Sequence, residues 1–178
     1  MTDRLELDDE YYMRLALAEA AKAAADGETP VGAVLVADGQ VVVAAHNMRE
    51  TWRDATAHAE ILVIREACRA LGRWRLTGST VYVTIEPCPM CAGALVLSRV
   101  DRLVYGAADP KAGAVASVFS IVNNPALNHR LKVTAGVLAA ECGEVLRDFF
   151  RRRRLETGAA AGSPDKVDDV HGEVAELV

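Results

Sequence analysis

The sequence predicts an α/β protein: a three-layer α/β/α sandwich around a central mixed five-stranded sheet. Three observations lead there. Segments with helical apolar spacing (about 3.6 residues) alternate with segments of strand spacing (about 2) along the chain. Two of the helical segments stop at Gly27 and Gly72, and glycine is the commonest residue just past a helix end. Asp38-Gly39 lies between two apolar runs and is a strong hairpin signal, so one pair of strands is antiparallel in a sheet otherwise linked through helices.

Each element follows from local chemistry. Residues 9–26 have helical periodicity and close at Gly27. Residues 31–37 and 40–45 are β-rich runs on either side of the Asp38-Gly39 turn. Residues 47–56 are polar and without period, and read as a loop. A helix is expected from about 57 to 71, and a β-branched strand at 80–85. Glu86 precedes a proline, which favours extended backbone and ends that strand. Pro89 opens the next helix, 89–98, because a first-turn residue has no use for its missing N–H. A strand at 102–106 follows. Residues 107–131 are irregular, with Asp109-Pro110 and Asn124-Pro125, yet hold enough apolar side chains to be ordered. A strand at 132–137 and a helix at 139–156, ending in Arg151–Arg154, complete a domain spanning 1–156. Residues 157–178 are rich in Gly, Ala and Asp and read as a disordered acidic tail.

Composition excludes some classes of function. Hydrophobic residues make up 51% of the chain, yet no apolar run is long enough for a membrane span. The first ten residues carry five acids and one base, the reverse of a signal peptide, so a soluble, cytoplasmic protein is expected. Residues 157–178 also carry five acids and one base, so the net charge of −5 conceals a body of about +3. A mildly basic body permits a nucleic-acid partner without requiring one. Of the four cysteines, Cys68 and Cys142 sit in helical apolar patterns and read as small buried side chains. Cys88 and Cys91 form a close pair, which in a reducing compartment points to metal rather than a disulfide.

The chemistry resides in a divided motif, His58-Ala59-Glu60 and Pro87-Cys88-Pro89-Met90-Cys91. One imidazole and two thiols, the pair spaced to face one point from a helix start, suit Zn2+ with its fourth position open. The helix amino end favours the thiolate form that zinc binds. Glu60 would have no task in a purely structural site, and a carboxylate beside activated water carries protons. The alternative is a closed four-ligand site that recruits His46 or His129.

In this order the two half-motifs resemble the cytidine-deaminase-like superfamily, and within it the bacterial tRNA adenosine deaminases. The resemblance spans about 11–154. It is carried by the two half-motifs and by Pro30-Val-Gly-Ala-Val-Leu-Val, Asn47, Ser98-Arg99, residues 106–114, Asn128-His-Arg and Phe149-Phe-Arg. It implies hydrolytic conversion of adenosine to inosine at the wobble position of a tRNA anticodon stem-loop, usually in an arginine tRNA, by a homodimer with one zinc per subunit. Within that scheme His58, Cys88 and Cys91 hold the metal, Glu60 shuttles protons, and Asn47 meets the base. Val31, Gly32 and the Ala59 backbone line the pocket. Asp109, Lys111, His129 and Arg130 grip the RNA, while Phe150 and Arg151 serve a splayed nucleotide. Asp109, an acid that would repel phosphate, is expected to accept a ribose 2′-hydroxyl. Ala108 and Asn123-Asn124 depart from the family pattern, which often has a basic residue and histidines there. Two other readings share the motif: a deaminase of free bases or nucleosides, and a non-catalytic zinc-stabilised RNA-binding domain.

Overall fold

The computed structural model describes residues 2–160, with side chains from 9 to 157. Its elements are α1 (Thr2–Ala25), β1 (Gly32–Ala37), β2 (Gln40–His46), α2 (Arg49–Trp52), α3 (Ala59–Leu71), β3 (Ser79–Ile85), α4 (Pro89–Leu97), β4 (Arg102–Ala107), β5 (Lys132–Ala135) and α5 (Ala139–Ala160). The strands form one mixed sheet in the order β2-β1-β3-β4-β5, with β1 antiparallel to both neighbours and β3, β4 and β5 parallel. Asp38 and Gly39 both take positive φ, 51° and 72°, as the tight turn between β1 and β2 requires.

Strand alternation sorts the core into two layers. Ala33, Leu35, Val81, Val83, Leu103 and Tyr105 pack with Val63 and Ala67 of α3 and Leu95 and Val96 of α4. Val34, Val36, Tyr82 and Val104 pack on the other face with Met13 and Ala16 of α1 and Cys142 of α5. The amino end of α1 is pinned to the sheet by a bidentate pair, Arg102 to Asp9 at 2.8 and 2.6 Å, with the Tyr82 hydroxyl donating to Asp9 at 2.9 Å.

Several boundaries differ from expectation. α1 begins at Thr2, well before residue 9, and α2 lies inside the segment read as loop. α3 starts at Ala59, which leaves His58 as an extended N-cap residue (φ −78°, ψ 148°). β5 stops at Ala135 because Gly136 (φ 84°) and Leu138 (φ 52°) turn the chain into α5. α5 runs to Ala160, past the expected domain end at 156, and the rest of the tail lies outside the described residues. Among the described residues no helix is long and apolar enough to cross a membrane.

Because β1 is antiparallel to both β2 and β3, the carboxyl ends of β2, β3 and β4 lie at one end of the sheet. His46-Asn47, Glu86–Cys88 and the 107–131 connection all emerge there, where ligand sites of open α/β sheets form.

Candidate active site

His58 caps α3 and Cys88 caps α4, so two helix amino ends converge, with Pro89 at the first position of α4 as expected. His58 Nδ1 lies 3.7 Å from Cys88 Sγ and 3.6 Å from Cys91 Sγ. Zinc bonds of about 2.3 Å to sulfur and about 2.0–2.1 Å to nitrogen, at tetrahedral angles, demand a separation of about 3.6 Å. Both imidazole–thiol separations therefore match zinc, and the three donors, all within 4.8 Å of one another, are the one such group of ligand side chains among the described residues. His46 is engaged elsewhere, by Glu19 at 2.9 Å, and His129 Nε2 donates to the Val100 carbonyl, 2.7 Å away. Neither completes a four-ligand site.

Local electrostatics match this use at Cys88, while the hydrogen bond to Cys88 and burial push the Cys91 thiol up. A hydrogen bond from the Cys91 thiol lowers the Cys88 pKa to about 4 against the opposing effect of burial, and His58 adds to the lowering. His58 is shifted up, chiefly by its hydrogen bond to Cys88. Glu60, on the first turn of α3, is 2% exposed. Burial pushes its carboxyl above the usual range, with His58 pulling the other way. Its Oε2 is the one buried side-chain oxygen or nitrogen among the described residues without a hydrogen-bond partner. An orphaned acceptor beside three metal ligands fits a proton carrier whose partner is a reactant.

Two of the ligands, His58 and Cys88, border a cleft of about 210 Å³, whose lining also includes Val31, Asn47, Glu60, Asp109, Phe150 and Arg153. That is below the roughly 300–1,000 Å³ of typical small-molecule pockets and suits one extruded base rather than a whole nucleotide. Asn47 Oδ1 accepts the Ala59 N–H at 3.0 Å, giving α3 the side-chain cap that His58 does not provide. Its oxygen is thus committed, and Asn47 offers the cleft its amide N–H groups as a donor.

The structure separates the other expected residues. Val31, Asp109 and Phe150 line the cleft with Asn47. Ala59 is fully buried and its N–H is spent on Asn47, so it does not line the pocket. Gly32 serves α1 rather than a substrate: a Cβ there would collide with the Ala16 carbonyl and sit 2.5 Å from the Ala20 nitrogen. Lys111, His129, Arg130 and Arg151 lie outside the cleft lining. His129 ties the connection to Val100, and Arg151 pairs with Asp148 at 2.8 Å on the helix exterior. Arg153 borders the cleft in place of Arg151, because Leu146, Phe150 and Arg153 share one stripe of α5. Phe149 is buried beside Phe150, their centroids 5.4 Å apart, and is a core residue. Asn123 and Asn124 form local turns, accepting from the Ser120 hydroxyl at 2.7 Å and the Ala126 N–H at 2.9 Å.

Two buried acids were missed as site residues. The Glu28 carboxylate accepts the N–H groups of Glu50 and Thr51 at 3.2 and 2.7 Å, fixing α2 at the cleft edge. Burial would push Glu86 up, but the Ser117 hydroxyl and the N–H groups of Ala116, Ser117 and Asp109 hold it down at about 2. The only hint in the sequence was an acid next to proline at a strand end.

Three zinc-competent ligands with an open face and a buried carboxylate, at the carboxyl ends of a mixed sheet, define a hydrolytic zinc site. Comparison with known proteins agrees. Residues 7–107 match the family model for the cytidine and deoxycytidylate deaminase zinc-binding region. The tRNA-specific adenosine deaminase of Bacillus subtilis (strain 168) is 54% identical over 152 residues, covering 85% of this chain and 94% of the relative. A solved structure from studies of A-to-I editing by tRNA:A34 deaminases at the wobble position superposes with a TM-score of 0.74 at 48% identity, over 76% of this chain and 99% of the other. A guanine deaminase of Nitrosomonas europaea is more distant, at 28% identity and a TM-score of 0.61, covering 81% and 83%. The chain belongs to the zinc-dependent deaminase family, in the branch of the tRNA-specific adenosine deaminases.

Proposed function

We propose that this protein deaminates adenosine to inosine at the wobble position of a tRNA anticodon, with an arginine tRNA as substrate. The observation that carries the reading is the unpartnered Glu60 Oε2 beside the His58–Cys88–Cys91 cluster, in a chain 54% identical to a tRNA-specific adenosine deaminase.

His58, Cys88 and Cys91 would hold zinc, which would supply Lewis acidity and lower the pKa of water from about 15.7 towards about 7. Asn47 donates to an acceptor on the purine edge and seats the base, while Phe150 and Val31 exclude solvent around it. Glu60 takes a proton from the attacking water and delivers it to N1. Oxygen bonds to C6, Glu60 takes the second proton from the new C6 hydroxyl and passes it to N6, and the C6–N6 bond breaks as the C6 carbonyl forms, so adenosine and water give inosine and ammonia. An anticodon loop is single-stranded, so presenting its base costs little. Asp109, at the cleft edge, accepts the ribose 2′-hydroxyl and favours RNA over DNA.

The test is to incubate the purified enzyme with transcribed arginine tRNA and sequence the product, since inosine reads as guanosine. Guanosine signal at the wobble position is the expected outcome. Ammonia release from guanine or free nucleosides, with unchanged tRNA, would refute the reading in favour of a small-molecule deaminase.

We also assign a homodimer and a cytoplasmic location. Support for the dimer comes from apolar side chains left in solvent, Leu97 (71% exposed) on α4 and Phe119 (50%) in the 107–131 connection. Light scattering at the mass of two chains is expected. Support for the location is the pair of reduced thiols that the site requires.

A further inference from the structure

The 107–131 connection brings Asp109 to the cleft, yet has no helix or strand of its own to fix its shape. Its buried backbone donors must find acceptors elsewhere. Many find the same one. Glu86, 1% exposed at the end of β3, accepts the N–H of Asp109 at 3.0 Å on Oε2. On Oε1 it accepts the N–H groups of Val115, Ala116 and Ser117 at 3.0, 2.8 and 3.0 Å. The Ser117 hydroxyl also donates to Oε2. Three successive N–H groups converging on one oxygen make an anion-binding concavity, here filled by the protein's own carboxylate. Gly113 lets the carboxylate lie this close, because a Cβ at that position would collide with it.

The acceptor capacity of Glu86 is consumed by these bonds. A carboxylate has about four lone-pair sites, and five donors from the connection already reach it. Although Glu86 borders the cleft, it has none left for a substrate. Its hold on the connection is also continuous with the metal site, since it lies two residues before Cys88 and the Ala114 N–H donates to the Pro87 carbonyl at 2.8 Å.

We propose that Glu86 is a positioning residue for RNA recognition: it moulds residues 109–117 into the wall of the cleft that presents Asp109 to the substrate. The proposal rests on the tRNA reading above. Its signature is a loss in substrate binding without a loss of chemistry or metal. Glu86→Gln keeps the shape and can keep its oxygen toward the three N–H groups, but it places an N–H2 opposite the Asp109 N–H. Loosening should therefore begin at Asp109.

The test is steady-state kinetics of Glu86→Gln and Ser117→Ala on an anticodon stem-loop, with zinc content and hydrogen exchange measured in parallel. For Glu86→Gln, KM is expected to rise about tenfold or more with kcat within about threefold, full zinc content, and faster exchange confined to the 109–117 amides. Ser117→Ala removes one hydroxyl from an exposed residue and so retains the fold; its KM is expected to rise about twofold to threefold. Unchanged KM in both variants, or a fall in kcat at constant KM, would overturn the proposal. If Glu86→Gln loses zinc or unfolds, an unchanged KM in Ser117→Ala overturns it. Absence of inosine with the unmodified enzyme would instead overturn the tRNA reading.

Discussion

Replacing Glu60 by glutamine isolates proton transfer from everything else that the site does. In the proposed reaction two proton transfers pass through this one carboxylate, and each is worth about 10²–10⁴-fold. Their joint loss should lower kcat by at least about 10⁴, close to 5.5 kcal/mol of barrier. Stability and metal content should barely respond. Oε2 has no hydrogen bond to lose, the glutamine oxygen can still meet Cys91, and the three ligands are untouched. The expected stability change is within about 1 kcal/mol, a shift in Tm of no more than roughly 2–4 °C for a chain of this size. The assay is single-turnover inosine formation on a stem-loop, with zinc measured by elemental analysis and Tm by calorimetry. Activity within tenfold of the parent would refute the proton-carrier role. Loss of zinc or a collapse in Tm would show that Glu60 holds the site together rather than acting in it.

Asp109→Asn keeps an oxygen for the N–H groups of Lys111 and Ala112, which Asp109 Oδ1 now accepts at 3.0 and 3.2 Å, but removes the charge and one acceptor. Activity on single-stranded DNA relative to RNA should rise, and an unchanged ratio would count against a 2′-hydroxyl contact. Asp9→Ala removes the carboxylate from the half-buried Arg102 guanidinium, which keeps the Thr134 hydroxyl, and from the Tyr82 hydroxyl, at the opposite end of β4 from the cleft. It should cost about 3 kcal/mol in denaturant unfolding with zinc content and kcat at 20 °C unaltered, and a loss under about 1 kcal/mol would contradict the pinning role. Glu28 titrates below its ordinary value of 4.5, because the N–H groups of Thr51 and Glu50 outweigh the opposing effect of burial. A depressed carboxyl stabilises fully above its unfolded value and loses that contribution as pH falls through the folded one. Glu28→Gln should therefore be less stable than the parent by about 1.5–3 kcal/mol near pH 6, with the gap closing below about pH 4.5, and a pH-independent gap would refute the assignment.

The layered sheet was legible because its signals are local. Alternation in β1, β3 and β4, the Asp38-Gly39 turn and the glycines after α1 and α3 need no knowledge of the rest of the chain. Cys88 and Cys91 were legible for the same reason, being a close pair at a helix start, whereas His58, thirty positions earlier, was legible through donor type and its half-motif with Glu60. What escaped depends on partners distant in sequence. α2 has four residues and no period; it forms because Glu28, more than twenty positions earlier, captures two of its N–H groups. Gly32 read as a pocket residue because its real neighbour, the backbone of α1, lies across a layer. Four consecutive arginines hid the phase of α5, which decides that Arg153 borders the cleft while Arg151 pairs with Asp148.

The buried acids separate structure from chemistry without reference to any relative. Five carboxylates are buried among the described residues: Asp9, Glu19, Glu28, Glu60 and Glu86. Leaving a buried acceptor unpaired costs about 1–3 kcal/mol, so folding alone should satisfy them all. It does so for four. Asp9 takes Arg102 and Tyr82, Glu19 takes Lys22 and His46, Glu28 takes two amides of α2, and Glu86 takes the amides of the 107–131 connection. Only Glu60 retains an unmatched oxygen, and it is the one that stands beside His58, Cys88 and Cys91. A fold that satisfies every other buried acid and leaves this one open supports the proposed role of Glu60, in which its missing partner is a proton that the protein itself does not supply.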